Sequence, residues 1–187
     1  LKAFRLAFPE GGTDPVGLVI KLNGTDVRSP EAAAFLVSPE LQDSRIRVIN
    51  AILDDTRMMG LLEVCDCFVS LHRSEGFGRG LAEAMMLGKP VIATGYSGNM
   101  DFTNPMNSCV VDYTLVPVGA GEYPHPEGQR WADPDIDHAA WYMRKLVTEP
   151  GYGMRLGRRA AAFVRTQHGP SAVGRRCRTR LEKLGFV

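Results

Sequence analysis

The chain has 187 residues, 44% of them hydrophobic and 23% charged, with a formal net charge of +1. That suits one soluble, globular domain able to bury a sizeable core, and it gives no overall pull toward nucleic acid. No apolar run approaches the roughly 20 residues that span a bilayer, and no signal peptide is evident.

Leu1 to Phe8 has helical spacing, with Leu1, Phe4, Leu6 and Phe8 sharing a broad apolar face, and Pro9 and Gly11-Gly12 end it. Val16 to Leu22 reads as a buried strand. Asn23-Gly24-Thr25 matches a glycosylation acceptor that would be idle in a cytosolic protein. Ser29-Pro30, a cap followed by a first-turn proline, opens a helix to about Leu36. Arg45 to Asn50 alternates and reads as a strand. Asp54-Asp55 caps a helix carrying Met58, Met59, Leu62 and Val64. Cys67 to His72 and Pro90 to Thr94 are apolar strands around a helix. Ser97 to Phe102 is a loop or short helix, and Cys109 to Tyr113 a short strand. The Gly- and Pro-rich stretch Val116 to Trp131 is expected as an ordered loop near the site, with a plain surface connection as the alternative. Asp133-Pro134 opens a helix with Ala139, Met143, Leu146 and Val147 on one face, which Glu149-Pro150-Gly151 stops. Two further helices follow, split by Gly169-Pro170.

Strands alternating with helices predict a Rossmann-like parallel sheet with helices on both faces and extra helices at the C-terminus. A ligand should lie at the carboxyl ends of the strands, where Lys21, Asn50, His72 and Gly95 fall. The four cysteines, Cys65, Cys67, Cys109 and Cys177, form no C-x-x-C pair and have no metal spacing. Cys65 and Cys67 read as buried reduced thiols, which fits a reducing compartment. From Arg155 to Lys183 nine Lys or Arg face one acidic residue, Glu182. That run is a face for an anionic membrane or lipid-phosphate acceptor, a solvated helical face, or a surface that packs on another domain.

The informative stretch is Cys67 to Asn99. Glu75 and Glu83 stand eight positions apart with Gly76, Gly78 and Gly80 between them. Glu75 falls in a glycine-rich loop, and Glu83 in the first turns of the helix that Gly80 or Leu81 opens. Such a loop offers backbone N–H groups and a helix N-terminus to phosphates, and the flanking carboxylates suit sugar or ribose hydroxyls. Read blandly, Glu83 is an exposed helix glutamate and Glu75 merely favours the helix dipole.

E-G-F-G-R-G-L-A-E, followed by A-M-x-x-G-K-P-V-I-A-T and then G-x-S-G-N, resembles the E-x7-E signature of retaining GT-B-fold glycosyltransferases, the group-one family. The resemblance runs from about Leu1 to about Asp112. It implies the C-terminal, donor-binding half of a GT-B fold, a single nucleotide-sugar-binding domain over 1–187. Its implied activity is a hexosyltransferase-type transfer from a nucleotide-diphosphate sugar to a carbohydrate or lipid-linked acceptor, in polysaccharide or glycolipid synthesis. By this resemblance Glu75 meets the transferred sugar. The N–H groups of Gly76, Phe77, Gly78, Arg79, Gly80 and Leu81 bind sugar hydroxyls and phosphate oxygens. Glu83 accepts from the ribose, the Asn50–Leu53 turn lies against the base, and Lys21 and His72 stand at the site's edge. For Lys21 an ordinary strand-end role is the stronger rival; for His72, filling the strand end; for Phe77, bracing the loop. No metal and no cofactor is implied. The implied location is cytoplasmic, or peripheral on the inner face of a membrane.

The sequence departs from the family's pattern in two places. Arg79-Gly80-Leu81 stands where relatives often have an apolar residue and a proline, so Arg79 either contacts phosphate or sugar or points to solvent. The chain also begins without Met, partway through a helix. It reads as a fragment, inactive alone, lacking the acceptor domain and the Arg/Lys pair that grips the diphosphate. A nicotinamide oxidoreductase is disfavoured because a G-x-G-x-x-G turn needs glycine at Leu81. A non-catalytic sugar-nucleotide-binding module and a sugar-nucleotide epimerase are the remaining alternatives.

Overall fold

The structure, a computed structural model, describes residues 1–24 and 30–186. Ser29, expected as a helix cap, and Thr25 of the glycosylation triplet lie outside the described residues. Two compact units divide the chain, Leu1–Leu61 and Leu62–Val187.

The first unit holds α1 (Lys2–Ala7), β1 (Leu18–Leu22), α2 (Pro30–Leu36), a 3-10 turn at Pro39–Gln42, β2 (Ile46–Asn50) and most of α3 (Asp55–Val64). β1 and β2 pair in parallel, from Leu18 opposite Ile46 to Leu22 opposite Asn50. α1 buries Ala3, Phe4, Ala7 and Phe8. Leu6, expected on that face, is 44% exposed. Two residues from both Phe4 and Phe8, it sits about 200° around the helix from each. Arg45 fastens the end of α1: its guanidinium donates to the carbonyls of Phe8 and Pro9 and pairs with Asp43 at 2.7 Å. Bonds from the Arg45 side chain and backbone hold the Asp43 carboxyl down at about 2. Asp54 caps α3, its Oδ1 accepting from the Arg57 amide at 2.8 Å. Leu62 is buried as expected, whereas Val64 at the helix end is exposed.

The second unit begins with β3 (Phe68–Ser70), α4 (Arg79–Met86), β4 (Val91–Thr94), a 3-10 turn at Gly98–Asp101 and β5 (Cys109–Val111). These strands form one parallel sheet in the order β3-β4-β5. All four residues of β4 are buried, as a strand covered on both faces requires. The expected pairing of the Cys67–His72 and Pro90–Thr94 strands is seen, with Phe68 opposite Val91. α5 (Ile136–Thr148), α6 (Pro150–His168) and α7 (Pro170–Lys183) follow. α4 and α6 pack Leu81, Ala84 and Met85 with Leu156, Ala160 and Val164 in the core. They approach so closely that a Cβ on Gly157 would stand 1.9 Å from the Gly88 carbonyl oxygen.

The stretch expected as a loop is largely a hairpin. β6 (Tyr113–Pro117) and β7 (Arg130–Pro134) pair antiparallel, Tyr113 opposite Pro134 and Pro117 opposite Arg130. Asp133 and Pro134 therefore end a strand, and the helix cap is Asp135, whose Oδ1 accepts from the His138 amide at 2.9 Å. Pro134 is tolerated because the terminus of a two-stranded ribbon asks little of its missing N–H. On α5, Ala139, Ala140 and Met143 are buried, and Val147 turns outward. Burial pushes the Cys109 thiol up to about 12 and raises that of Cys67 as well. Both are therefore neutral thiols at ordinary pH, while Cys177 is exposed.

α7 buries only Ala172. Val173, Leu181 and Leu184 are 41–50% exposed. Among the described residues no helix is long and apolar enough to cross a membrane.

Candidate functional site

β3 runs out at Ser70 into the loop that leads to α4. Gly78 is the residue before the helix, with φ of +94°, a left-handed backbone that glycine adopts without strain. A Cβ there would also press on Leu81 at 3.2 Å and on the Phe102 ring at 3.3 Å. Gly80 faces Phe68, where a Cβ would lie 3.0 Å from the ring. The loop glycines thus let α4 start tight against β3. The helix opens at Arg79, one residue earlier than the sequence suggests, and no side chain caps it. First-turn amides at such an end face outward.

The loop after β4 clasps the loop after β3. The Gly98 amide donates to the Glu75 carbonyl at 2.9 Å, and Ser97 Oγ donates to the same oxygen at 2.8 Å. Ser97 has a φ of +77°, a conformation that costs a non-glycine residue energy. A Cβ on Gly98 would fall 1.9 Å from the Gly76 carbonyl oxygen. Glu75 is half-buried, and among the described residues its carboxylate meets no donor. Its backbone is fixed while its side chain remains available.

Beneath this clasp lies a polar network at the strand ends. His72 Nδ1 is 3.0 Å from Ser70 Oγ, and Nε2 is 3.1 Å from the Tyr96 carbonyl and 3.0 Å from Asn99 Oδ1. Asn99 is fully buried, and its Nδ2 donates to the Thr94 carbonyl and to Thr103 Oγ1, both at 3.0 Å. Those two bonds fix which way the amide faces, so Oδ1 is turned to His72. Nε2 then faces two acceptors and must carry a proton. Both ring nitrogens of His72 are engaged within the protein.

Glu83 is one turn into α4 and accepts from Arg79 Nε at 2.6 Å. Its side chain is 22% exposed and that of Arg79 76%. Arg79 therefore pairs with the second glutamate of the motif. Phe77 is 46% exposed, and its ring lies 5.0 Å from Phe102 and 6.2 Å from His168 at the end of α6.

On the other side the hairpin grips Arg73. The Ala132 amide donates to the Arg73 carbonyl at 2.9 Å. The Arg73 guanidinium pairs with Asp133 at 3.3 Å and Glu122 at 3.8 Å, and lies 4.9 Å over the Trp131 ring. Arg73, Ser97, Asn99 and Thr103 were not picked out from the sequence as site residues. The small-residue G-x-S-G-N run was the one signal for two of them.

The second unit therefore brings together His72, Glu75, Gly76, Phe77, Gly78, Arg79, Gly80, Leu81 and Glu83. Lys21, Asn50 and Leu53 belong to the first unit. Lys21 Nζ donates to the carbonyls of Leu22 and Ala51 at 2.7 and 2.5 Å and to Asn23 Oδ1 at 3.0 Å. Its three protons thus bind the ends of β1 and β2 together. Asn50 ends β2 and is exposed, and Leu53 in the turn that follows is half-buried.

Residues 36–112 match the family described as Glycosyl transferases group 1. Over 97% of the chain the fold is that of Anabaena HepE, solved with UDP and glucose, at a TM-score of 0.71 and 16% identity. The same protein solved with UDP-glucose superposes with a TM-score of 0.69 at 15% identity. The chain spans 44% of the length of HepE. No curated protein matches it.

Proposed function

We propose that the protein carrying this chain is a retaining glycosyltransferase of the group-one, GT-B type, and that this chain is its donor-binding half. The observation that carries the reading is Glu75: a carboxylate with no donor among the described residues, on a backbone clamped by Ser97 and Gly98, beside an uncapped helix start. The match over 36–112 and the fold shared with a UDP- and UDP-glucose-binding protein point the same way.

Transfer from a nucleotide-diphosphate sugar builds negative charge on the departing diphosphate and positive character at the anomeric carbon. In this reading the amides of Gly76 to Leu81 and the α4 N-terminus face the diphosphate and the sugar hydroxyls. Glu75 faces the sugar, where its charge favours the cationic carbon. Glu83 accepts from the ribose hydroxyls. Phe77, braced by Phe102, shapes the loop. His72 serves from below, its ring nitrogens spent on Ser70, Tyr96 and Asn99, and Lys21 serves by closing the ends of β1 and β2. The acceptor is a carbohydrate or lipid-linked carbohydrate bound by another part of the protein, in polysaccharide or glycolipid assembly. The basic surface of α6 and α7 then meets that other part or an anionic surface.

Thermal stabilisation of the intact protein by UDP-, GDP- and ADP-sugars tests the donor class. Proton NMR of the first-formed product tests the stereochemistry. A stabilising sugar nucleotide and a product with the donor's anomeric configuration are expected. No stabilisation by any of the three, or inversion, would overturn the reading. An epimerised free sugar nucleotide as product would replace transfer with epimerisation.

A further inference from the structure

Arg79 is badly placed for the stability of its own helix. It stands at the first residue of α4, where the positive end of the helix dipole repels a cation. Its partner Glu83 is four residues later, and a base preceding an acid is the weaker order for such a pair. Yet the pair is short, at 2.6 Å, and the glutamate is the more shielded member. A guanidinium that gains little from its helix and covers a carboxylate needed elsewhere is suited to exchange partners.

We propose that Arg79 is a placeholder in the donor site: it holds Glu83 while the site is empty and turns onto the diphosphate when ribose hydroxyls take that carboxylate. The inference rests on the reading of Glu83 as the ribose acceptor. Without a donor, the pair keeps Glu83 from standing as an uncompensated, largely shielded charge. On binding, the two ribose hydroxyls supply the hydrogen bonds that the guanidinium gives up. Released from Glu83, the guanidinium keeps its charge and its planar fork of donors, matched to phosphate oxygens. It remains at the end of α4 toward which the diphosphate is drawn, so the dipole that repels it in the empty site is neutralised by the ligand. A donor must carry both parts to be held well. The ribose displaces the arginine, and the diphosphate rewards the displacement.

A nucleoside pays for the displacement and gains nothing from the released arginine, so the two ligands should respond to Arg79 with opposite signs. Calorimetry on the intact protein compares uridine with UDP, and the adenosine and guanosine pairs in parallel, for the wild type, Arg79→Ala, Arg79→Lys and Glu83→Gln. In Arg79→Ala the nucleoside should bind several-fold tighter and the nucleoside diphosphate roughly tenfold weaker. Arg79→Lys should restore part of the diphosphate affinity. Shifts of the same sign for both ligands, or none, overturn the placeholder role. Glu83→Gln separates the two failures. If it weakens the nucleoside while Arg79→Ala gives no opposed shifts, only the placeholder is wrong. If nucleoside affinity is unchanged in Glu83→Gln, the ribose reading itself has failed.

Discussion

His72 Nε2 and Asn99 Oδ1 lie 3.0 Å apart, joining the end of β3 to the turn after β4 from beneath the Glu75 loop. Asn99 has no solvent contact, so its partners have no water to turn to when it is removed. Asn99→Leu should take the amide donor from the Thr94 carbonyl and from Thr103 Oγ1 and leave the His72 N–H only the Tyr96 carbonyl, at a cost of about 1–3 kcal/mol. Urea denaturation measures this. A loss below about 1 kcal/mol would show that the network is not the fastening described.

If Glu75 has the role proposed for it, Glu75→Gln should lose turnover on the order of a hundredfold or more, because the charge opposite the developing cation is gone. Affinity for the nucleoside diphosphate should stay close to wild type, since in the proposed reading that glutamate faces the sugar. Turnover with the acceptor and calorimetry with the diphosphate read the two separately. Near-normal turnover would remove Glu75 from catalysis.

Three glycines make a graded test of close packing. Gly98→Ala and Gly157→Ala each drive a Cβ into a backbone carbonyl oxygen at 1.9 Å, and each should cost about 1–3 kcal/mol or more. Only Gly98→Ala should also weaken sugar-nucleotide binding beyond its effect on stability, because only it parts the two loops. Gly60→Ala, in α3 with nothing within 4 Å, should instead stabilise by about 0.5–1 kcal/mol. Thermal melts with and without ligand check all three.

Asp43 sets an acid limit on the first unit. Its carboxyl titrates at about 2 in the folded chain, below the usual 3.8, because Arg45 bonds to the charged form. A lowered value means a stabilising contribution that is complete above about pH 4 and disappears as pH falls through about 2. The stability of Asp43→Asn should therefore vary less between pH 4 and pH 2 than that of the wild type. Parallel pH profiles of the two would contradict the assignment.

The elements of the parallel sheet were legible because each follows a local rule. β2 alternates, β4 is a short apolar run after a glycine turn, and α6 and α7 each begin with a proline after a break. The β6–β7 hairpin was not legible. Its strands hold Pro117 and Pro134, its connection carries no tight-turn signal, and Asp133-Pro134 imitates a helix start two residues before the actual cap at Asp135. The two glutamates and the loop glycines of the site could be read from their spacing. The partnership of His72 with Asn99 could not, since the two residues are 27 positions apart and meet only when β3 and β4 pair. Nor could the fate of Arg79, whose choice among phosphate, solvent and Glu83 depends on which side chain the helix leaves within reach.

The chain has two tryptophans, and they stand in different surroundings. Trp131 lies under the guanidinium of Arg73, two residues before Glu75, with its indole N–H buried and without a partner among the described residues. Trp141 is 46% exposed on α5, beside the ammonium of Lys145. Replacing Trp141 with Phe leaves Trp131 as the one indole of this chain, with the Arg73 guanidinium stacked on it. The molecule thus carries its own optical reporter, through which any shift of the segment leading into Glu75 can be followed in real time without an added dye.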